Sequence, residues 1–95
     1  MEQTYLVVDN SEKQQFQVEL PDDIALLQYR WKENMLALMH TEVPEKYEGQ
    51  GIASALAKHA FSYAANTGKK VLPYCAYIAM YLKRHPEYDN LVEPV

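Results

Sequence analysis

Two of the three glycines of this chain lie two residues apart in the stretch YEGQGIASAL, directly before its most helix-like segment. Glycine inside a helix costs roughly 0.5–1 kcal/mol relative to alanine, so the position just before a helix is the least damaging one. A glycine turn there leaves backbone N–H groups uncovered at the positive end of a helix dipole, where phosphates bind readily. The sequence therefore predicts an anion site formed by the backbone from Gly49 to Ala53.

Two common phosphate-binding motifs do not fit this turn. No Lys-Ser or Lys-Thr pair follows Gly51, so the turn is not the P-loop of a nucleotide hydrolase. The spacing G-x-G-x-A-x-x-L, after strands predicted to be antiparallel, also differs from the dinucleotide-binding fingerprint. A glycine-softened turn without any ligand is the alternative, and the turn alone does not decide between the two interpretations.

The first part of the chain is predicted to form two strands. Residues 5–8 are a short apolar run, and the turn cluster Asp9-Asn10-Ser11 follows it. Phe16, Val18 and Leu20 then alternate with polar residues, which is the period-2 pattern of a strand buried on one face.

Two longer strands follow, Ile24–Trp31 and Met35–Val43, with Lys32-Glu33-Asn34 as a tight reversal between them. Consecutive strands joined by short turns predict an antiparallel meander. The character of the sequence changes at Pro44, after which apolar residues recur with helical spacing. That face consists of Ala53, Leu56, Ala57, Ala60, Phe61 and Ala64.

The helix is predicted to end at Asn66-Thr67-Gly68. Val71-Leu72 is a short strand candidate, and Ala76–Arg84 is a second helix that stops before Pro86. The predicted fold class is α/β, with a mixed α+β sheet and the order β-β-β-β-α-β-α. We expect a single domain over residues 1–95.

Composition limits the partners and the compartment. Apolar residues make up 48% and charged residues 23% of the 95 residues, as is typical of a soluble globular protein. A net charge of −4 argues against nucleic acid as a partner, because its binding depends on phosphate neutralisation. The single Cys75 excludes an internal disulfide, and no histidine pair has metal-ligand spacing. With no visible signal peptide or membrane span, we expect a cytoplasmic protein.

The stretch VPEKYEGQGIASALAKHAFSYA resembles the acetyl-CoA signature of the GNAT superfamily of N-acetyltransferases. In that signature a strand ends in V-P or V-x-P, and a turn R/Q-x-x-G-x-G/A opens a helix that binds the coenzyme pyrophosphate. Gly51 and Ala53 match it, whereas Glu48 stands where the family usually has arginine or glutamine. The resemblance implies that acetyl-CoA or CoA is bound by Val43, Gly49, Gln50, Gly51, Ile52, Ala53 and Ser54.

Over roughly residues 15–92, the chain is similar to a small single-domain branch of that superfamily, through HTEVP, VLPYCAYIAMYLKRHPEY and their order. The resemblance implies a minimal GNAT-like fold that transfers an acetyl group to an amine of a small molecule or protein. It also implies that Met35–Val43 and the strand ending near Cys75 part to accept the coenzyme. The acceptor is not identified, and we expect a monomer or a weak homodimer.

There are three catalytic candidates: Cys75 and Tyr81, which the resemblance implies, and His40, which its strand position suggests. Cys75 lies between a strand and the N-terminus of a helix, a position where reactive thiols are found. Its thiolate would then attack the thioester and form an acetyl-cysteine; the alternative is a buried packing role with direct transfer. His40 is expected on the same strand face as Leu36 and Leu38, where it would act as a general base near Cys75 or the acceptor amine; a half-buried histidine without a chemical role is the alternative.

Tyr81 is implied as the donor that protonates the departing coenzyme thiolate, with Tyr77 one turn earlier as a competitor. Lys83 and Arg84, at the end of the same helix, are candidates for contact with the 3′-phosphate of the coenzyme. An alternative function is a CoA-binding module with a sensing or interaction role and little catalysis. The short chain, which leaves little material for an acceptor pocket, and the unusual Glu48 favour it.

Overall fold

The computed structural model describes residues 5–95. Over this range the chain forms five strands and two α-helices: β1 (Val8–Asn10), β2 (Gln15–Glu19), β3 (Ile24–Lys32), β4 (Met35–Glu42), α1 (Ile52–Thr67), β5 (Val71–Pro73) and α2 (Ala76–Arg84). Two short 3-10 helices, Glu45–Tyr47 and Pro86–Leu91, precede α1 and follow α2. The predicted fold class and element order are confirmed.

The five strands form one sheet in the order β1-β2-β3-β4-β5. The first four are antiparallel neighbours, so the predicted meander is confirmed. β5 returns parallel to β4 after the crossover through α1, as parallel pairing requires. The reversal between β3 and β4 is a two-residue turn in which Glu33 (φ 51°) and Asn34 (φ 67°) both take the left-handed conformation that such hairpins favour.

The predicted position of the first strand is wrong. The strand is Val8–Asn10, so Asp9 and Asn10 belong to it and only Val8 of the predicted run does. Both polar side chains have partners that hold them in the sheet. The Tyr29 hydroxyl donates to Asp9 Oδ1 at 2.7 Å, and the Asn10 amide donates to Gln17 Oε1 at 3.1 Å.

Strand β2 is buried on both faces, whereas the alternating pattern predicted burial of one. Gln15 and Gln17 are 5% and 8% exposed on the face opposite Phe16 and Val18. The two side chains are hydrogen-bonded to each other, since Gln15 Nε2 donates to Gln17 Oε1 at 2.8 Å. Hydrogen-bonded amides can be buried at modest cost, which a pattern of residue types does not reveal.

One hydrophobic core lies between the sheet and the two helices. The buried side of α1 consists of Ile52, Leu56, Ala57, Ala60, Phe61 and Ala64, which confirms the predicted face except that Ala53 is only half-buried. It packs with Phe16 of β2 and Leu27 of β3, and α2 contributes Ile78 and Tyr81. At its far end, α1 stops at Gly68 (φ 68°), as the sequence predicts. No helix within residues 5–95 is both long and apolar enough to cross a bilayer.

Strand β4 contains an irregularity that shapes the site. Tyr29 pairs with Leu38 while its neighbour Gln28 pairs with His40, so Met39 is an extra residue, as in a β-bulge. Beyond this point β4 has no partner on its β5 side among the described residues, because the β4–β5 ladder ends at Leu38 and Pro73. Because β5 ends at Pro73, β4 extends past it, and the last residues of β4 have no strand partner on that side within the described range.

Candidate active site

The glycine turn has the backbone conformation that its sequence predicts. Gly49 (φ 81°) and Gly51 (φ 83°) both lie in the left-handed region, which residues with a Cβ adopt only with strain. A Cβ added at either position would meet no atom of the described residues within 4 Å. The backbone conformation, and not a close packing contact, is therefore what requires glycine here.

The amides of this turn are uncovered. Gly51 is the N-cap of α1, no side chain caps the helix, and its first turn contains no acid. The first helical hydrogen bond runs from the Ala55 N–H to the Gly51 carbonyl at 3.0 Å. Within residues 5–95, no acceptor is recorded for the N–H groups of residues 49–54. The positive end of the helix dipole is thus available to an anion.

A cleft of about 360 Å³ opens at these amides. Its walls are Thr41, Val43, Tyr47, Glu48, Gly49, Gly51, Ile52, Ala53, Ser54 and Tyr77. All of the coenzyme-binding residues that the sequence implied lie here except Gln50, which stands between the two glycines without lining the cleft. The cleft thus joins the N-terminus of α1 to the free end of β4 and to the first turn of α2.

Cys75 lies behind the wall of the cleft. It is the N-cap of α2 and only 6% exposed, and its N–H donates to the Leu38 carbonyl at 2.9 Å. Its Sγ lies 3.2 Å from Thr41 Oγ1. Thr41, and not Cys75, lines the cleft. Sequence reasoning missed Thr41, because strict alternation from Leu38 would point it to the other face of the strand.

The expectation that His40 shares a strand face with Leu36 and Leu38 is wrong. Those leucines are fully buried, whereas the His40 side chain is 58% exposed and pairs across the sheet with Gln28, on the face opposite the core. The extra residue Met39 causes this reversal. His40 Nε2 lies 3.7 Å from Glu42 Oε2 on that outer face.

Two tyrosines of α2 occupy different positions. Tyr77 lines the main cleft and also a smaller one beside it. Tyr81, 6% exposed, lines only the smaller cleft and stacks on His85 with ring centroids 4.1 Å apart. Burial raises the pKa of Tyr77 and raises that of Tyr81 to about 12. Both hydroxyls therefore keep their protons at neutral pH and can act as donors.

The burial of Tyr81 predicts a loss of stability at high pH. Its pKa is raised in the folded protein above the unfolded value of about 10, so its contribution is complete below pH 10 and is lost as the pH rises through 12. Between pH 8 and 11, Tyr81→Phe should lose about 1 kcal/mol less free energy of unfolding than wild type. Urea titrations at both pH values measure this difference; equal losses in the two proteins would contradict it.

The segment before the glycine turn is held by one carboxylate. Asp22, in the β2–β3 turn, pairs with Lys46 and accepts a hydrogen bond from the Tyr47 hydroxyl at 2.7 Å. The hydrogen bond from Lys46 and then that from Tyr47 lower the pKa of Asp22, so this carboxylate stays ionised. Because Tyr47 lines the cleft, Asp22 helps to fix one wall of it. No spacing in the sequence relates these residues.

Residues 15–91 match the GCN5-related N-acetyl-transferase family. The chain therefore belongs to this family, which confirms the resemblance to N-acetyltransferases, and it is an enzyme of the acyltransferase type. Within the described residues, no group of three or more histidine, cysteine or acidic side chains is placed to hold a metal ion.

Curated relatives and a solved structure agree with this assignment. Protein NATD1 of Mus musculus is 37% identical over 93 residues, which are 93% of this chain and 84% of that protein. Protein NATD1 of Danio rerio is 37% identical over 91 residues, with 90% and 83% covered. The NMR structure of a GCN5-like protein from Staphylococcus aureus superposes with a TM-score of 0.75 over 96% of this chain and 90% of that one. At 19% identity, this likeness concerns the fold, and the expected GNAT-like fold is confirmed.

Proposed function

We propose that this chain transfers the acetyl group of acetyl-CoA to an amine acceptor. The observation that carries the proposal is the set of uncapped amides at the start of α1, which open into a cleft that extends to Thr41 and Tyr77. A diphosphate needs several converging donors and a positive field, and a helix N-terminus supplies both. When bound, acetyl-CoA supplies an acetyl group activated as a thioester.

In this proposal the backbone N–H groups of residues 49–53 hold the diphosphate, and the side chains of Val43 and Ser54 form the walls beside it. The Glu48 carboxylate also lines the cleft, so the amides and the helix dipole must outweigh its repulsion. Beyond Leu38, the unpaired side of β4 offers backbone groups to an extended ligand, as in strand addition.

Proton transfer is assigned to the tyrosines. Tyr77 lines the main cleft and its hydroxyl retains its proton, so it serves as the donor to the leaving thiolate, with the Tyr81 ring 6.2 Å away between centroids. The Thr41 hydroxyl is a further polar group at the end of the cleft. His40 and Glu42 lie on the outer face of the sheet, where His40 is a candidate base for an acceptor that arrives from that side.

Two measurements test the proposal. Calorimetry with CoA should show binding, and acetyl-CoA incubated with a panel of amines, peptides and polyamines should release free thiol. Turnover of at least one amine roughly a hundredfold above the uncatalysed rate is the lower end expected from acid–base catalysis. The proposal fails if CoA does not bind at millimolar concentration.

The position of Cys75 predicts direct transfer without an acetyl-cysteine. Its thiol is buried and separated from the cleft by Thr41, so we expect no acetyl adduct after incubation with acetyl-CoA. Cys75→Ala should keep its turnover within about tenfold of wild type. Removing a side chain that only packs beside a site lowers turnover less than removing a nucleophile does. Intact-mass spectrometry with and without acceptor measures the adduct. An adduct of one acetyl group that disappears in Cys75→Ala, together with lost turnover, would establish the covalent route instead.

A second candidate function is a CoA-binding module with a sensing or interaction role. Two observations favour it: Glu48 lines the cleft, and no histidine among the described residues does. In that case CoA would bind as proposed, but no amine in the panel would be acetylated above the uncatalysed rate. The same pair of measurements therefore separates the two functions.

A further inference from the structure

The smaller cleft lies directly beside the main one. It measures about 130 Å³ and is lined by Ser54, Tyr77, Met80, Tyr81, Arg84 and His85. Ser54 and Tyr77 belong to both clefts, so the two are neighbouring parts of one groove between the first turn of α1 and the length of α2. A ligand whose diphosphate occupies the amides of α1 can therefore extend a second group into this smaller space.

The guanidinium of Arg84 is the cation of this side cleft that is available to a ligand. No carboxylate within residues 5–95 forms an ion pair with it. Glu87 is the acid nearby, and its Oε2 instead lies 3.3 Å from His85 Nδ1. A free guanidinium presents several donors in a planar arrangement that suits phosphate oxygens. Lys83, the neighbouring cation on α2, lines neither cleft.

The size of the side cleft limits what can enter it. A volume of about 130 Å³ suits a compact group such as a phosphate. In CoA, the 3′-phosphate is separated from the diphosphate by one ribose and is the remaining anionic group of the molecule.

We propose that Arg84 binds the 3′-phosphate of CoA in this side cleft and thereby selects CoA over its 3′-dephospho form. The proposal rests on the proposed function, because it requires the diphosphate to lie at the N-terminus of α1. It assigns to Arg84 a role in coenzyme specificity, and it separates Arg84 from Lys83, which sequence reasoning treated alike.

Calorimetry with CoA and with 3′-dephospho-CoA tests this assignment in three proteins: wild type, Arg84→Gln and the control Lys83→Gln. We expect wild type to bind CoA about tenfold more tightly than dephospho-CoA, as one charge-assisted interaction would give. Arg84→Gln should remove this preference, while Lys83→Gln should retain it. The preference of wild type should also shrink as salt is raised, because the side chain is exposed.

The outcomes distinguish the role of Arg84 from the proposed function. Equal binding of the two ligands by wild type, or a preference that survives Arg84→Gln, overturns the role of Arg84 and leaves the proposed function in place. Loss of preference in Lys83→Gln alone also overturns it. If neither ligand binds wild type at millimolar concentration, the proposed function fails and this assignment fails with it.

Discussion

Gly51→Ala should weaken CoA binding by at least about tenfold while the protein remains folded. A methyl group at φ 83° costs roughly 1–2 kcal/mol of strain, which the chain relieves by rotating the backbone at the N-cap of α1. That rotation turns the amides of Gly51 and Ile52 away from the cleft. Losing one charge-assisted hydrogen bond to a phosphate accounts for a factor of about ten or more. Calorimetry with CoA measures the change.

Gly68→Ala is the matched control for this variant. Gly68 caps the other end of α1 with φ 68°, and a Cβ there also meets no described atom within 4 Å. The two substitutions therefore carry the same kind of backbone strain and should lower the free energy of unfolding by similar amounts. Only Gly51→Ala should weaken the binding of CoA. Equal affinities in the two variants would show that the glycine turn is structural and binds no ligand.

Tyr77→Phe should lower kcat roughly a hundredfold with little change in CoA affinity. Tyr77 is half-buried and lines the main cleft, and a positioned general acid contributes at least about that factor. Tyr81→Phe should cost less than about tenfold, because the Tyr81 ring lies in a stack with His85 and reaches only the smaller cleft. Steady-state rates with a responsive amine, combined with CoA calorimetry, separate catalysis from binding.

The pH profile gives this comparison a second readout. Burial raises the pKa of Tyr77 above its ordinary value of 10, so the donor form persists at every pH below that value. The rate of wild type should therefore not fall between pH 7 and 9.5 through loss of this proton. A larger loss of kcat in Tyr81→Phe than in Tyr77→Phe would reverse the assignment and make Tyr81 the donor.

The parts of the structure that depend on local pattern followed from the sequence. The helical face of α1 and the glycines at both of its ends are set by residues close together in the chain, and so is the turn at Glu33-Asn34. Most of the proposed coenzyme-binding residues belong to this local part, since the proposed anion site is the backbone of one turn. That is why all but Gln50 were placed on the cleft.

The positions of the candidate catalytic side chains did not follow from the sequence, because they depend on contacts between distant segments. One extra residue, Met39, exchanges the faces of His40 and Thr41. No local pattern in MLALMHTE predicts this bulge. Tyr77 and Tyr81 lie four residues apart on one helical stripe. Which of them faces the main cleft depends on how α2 packs against α1, and that is a property of the tertiary structure.

The central claim is that the backbone amides at the start of α1 hold the diphosphate of CoA. Backbone amide chemical shifts, recorded by NMR during a titration with CoA, test it directly. If these amides hold the diphosphate, the largest chemical-shift changes will occur in residues 49–53, with smaller ones at Thr41 and Tyr77. Saturable binding that leaves the amides of residues 49–53 unshifted would contradict it.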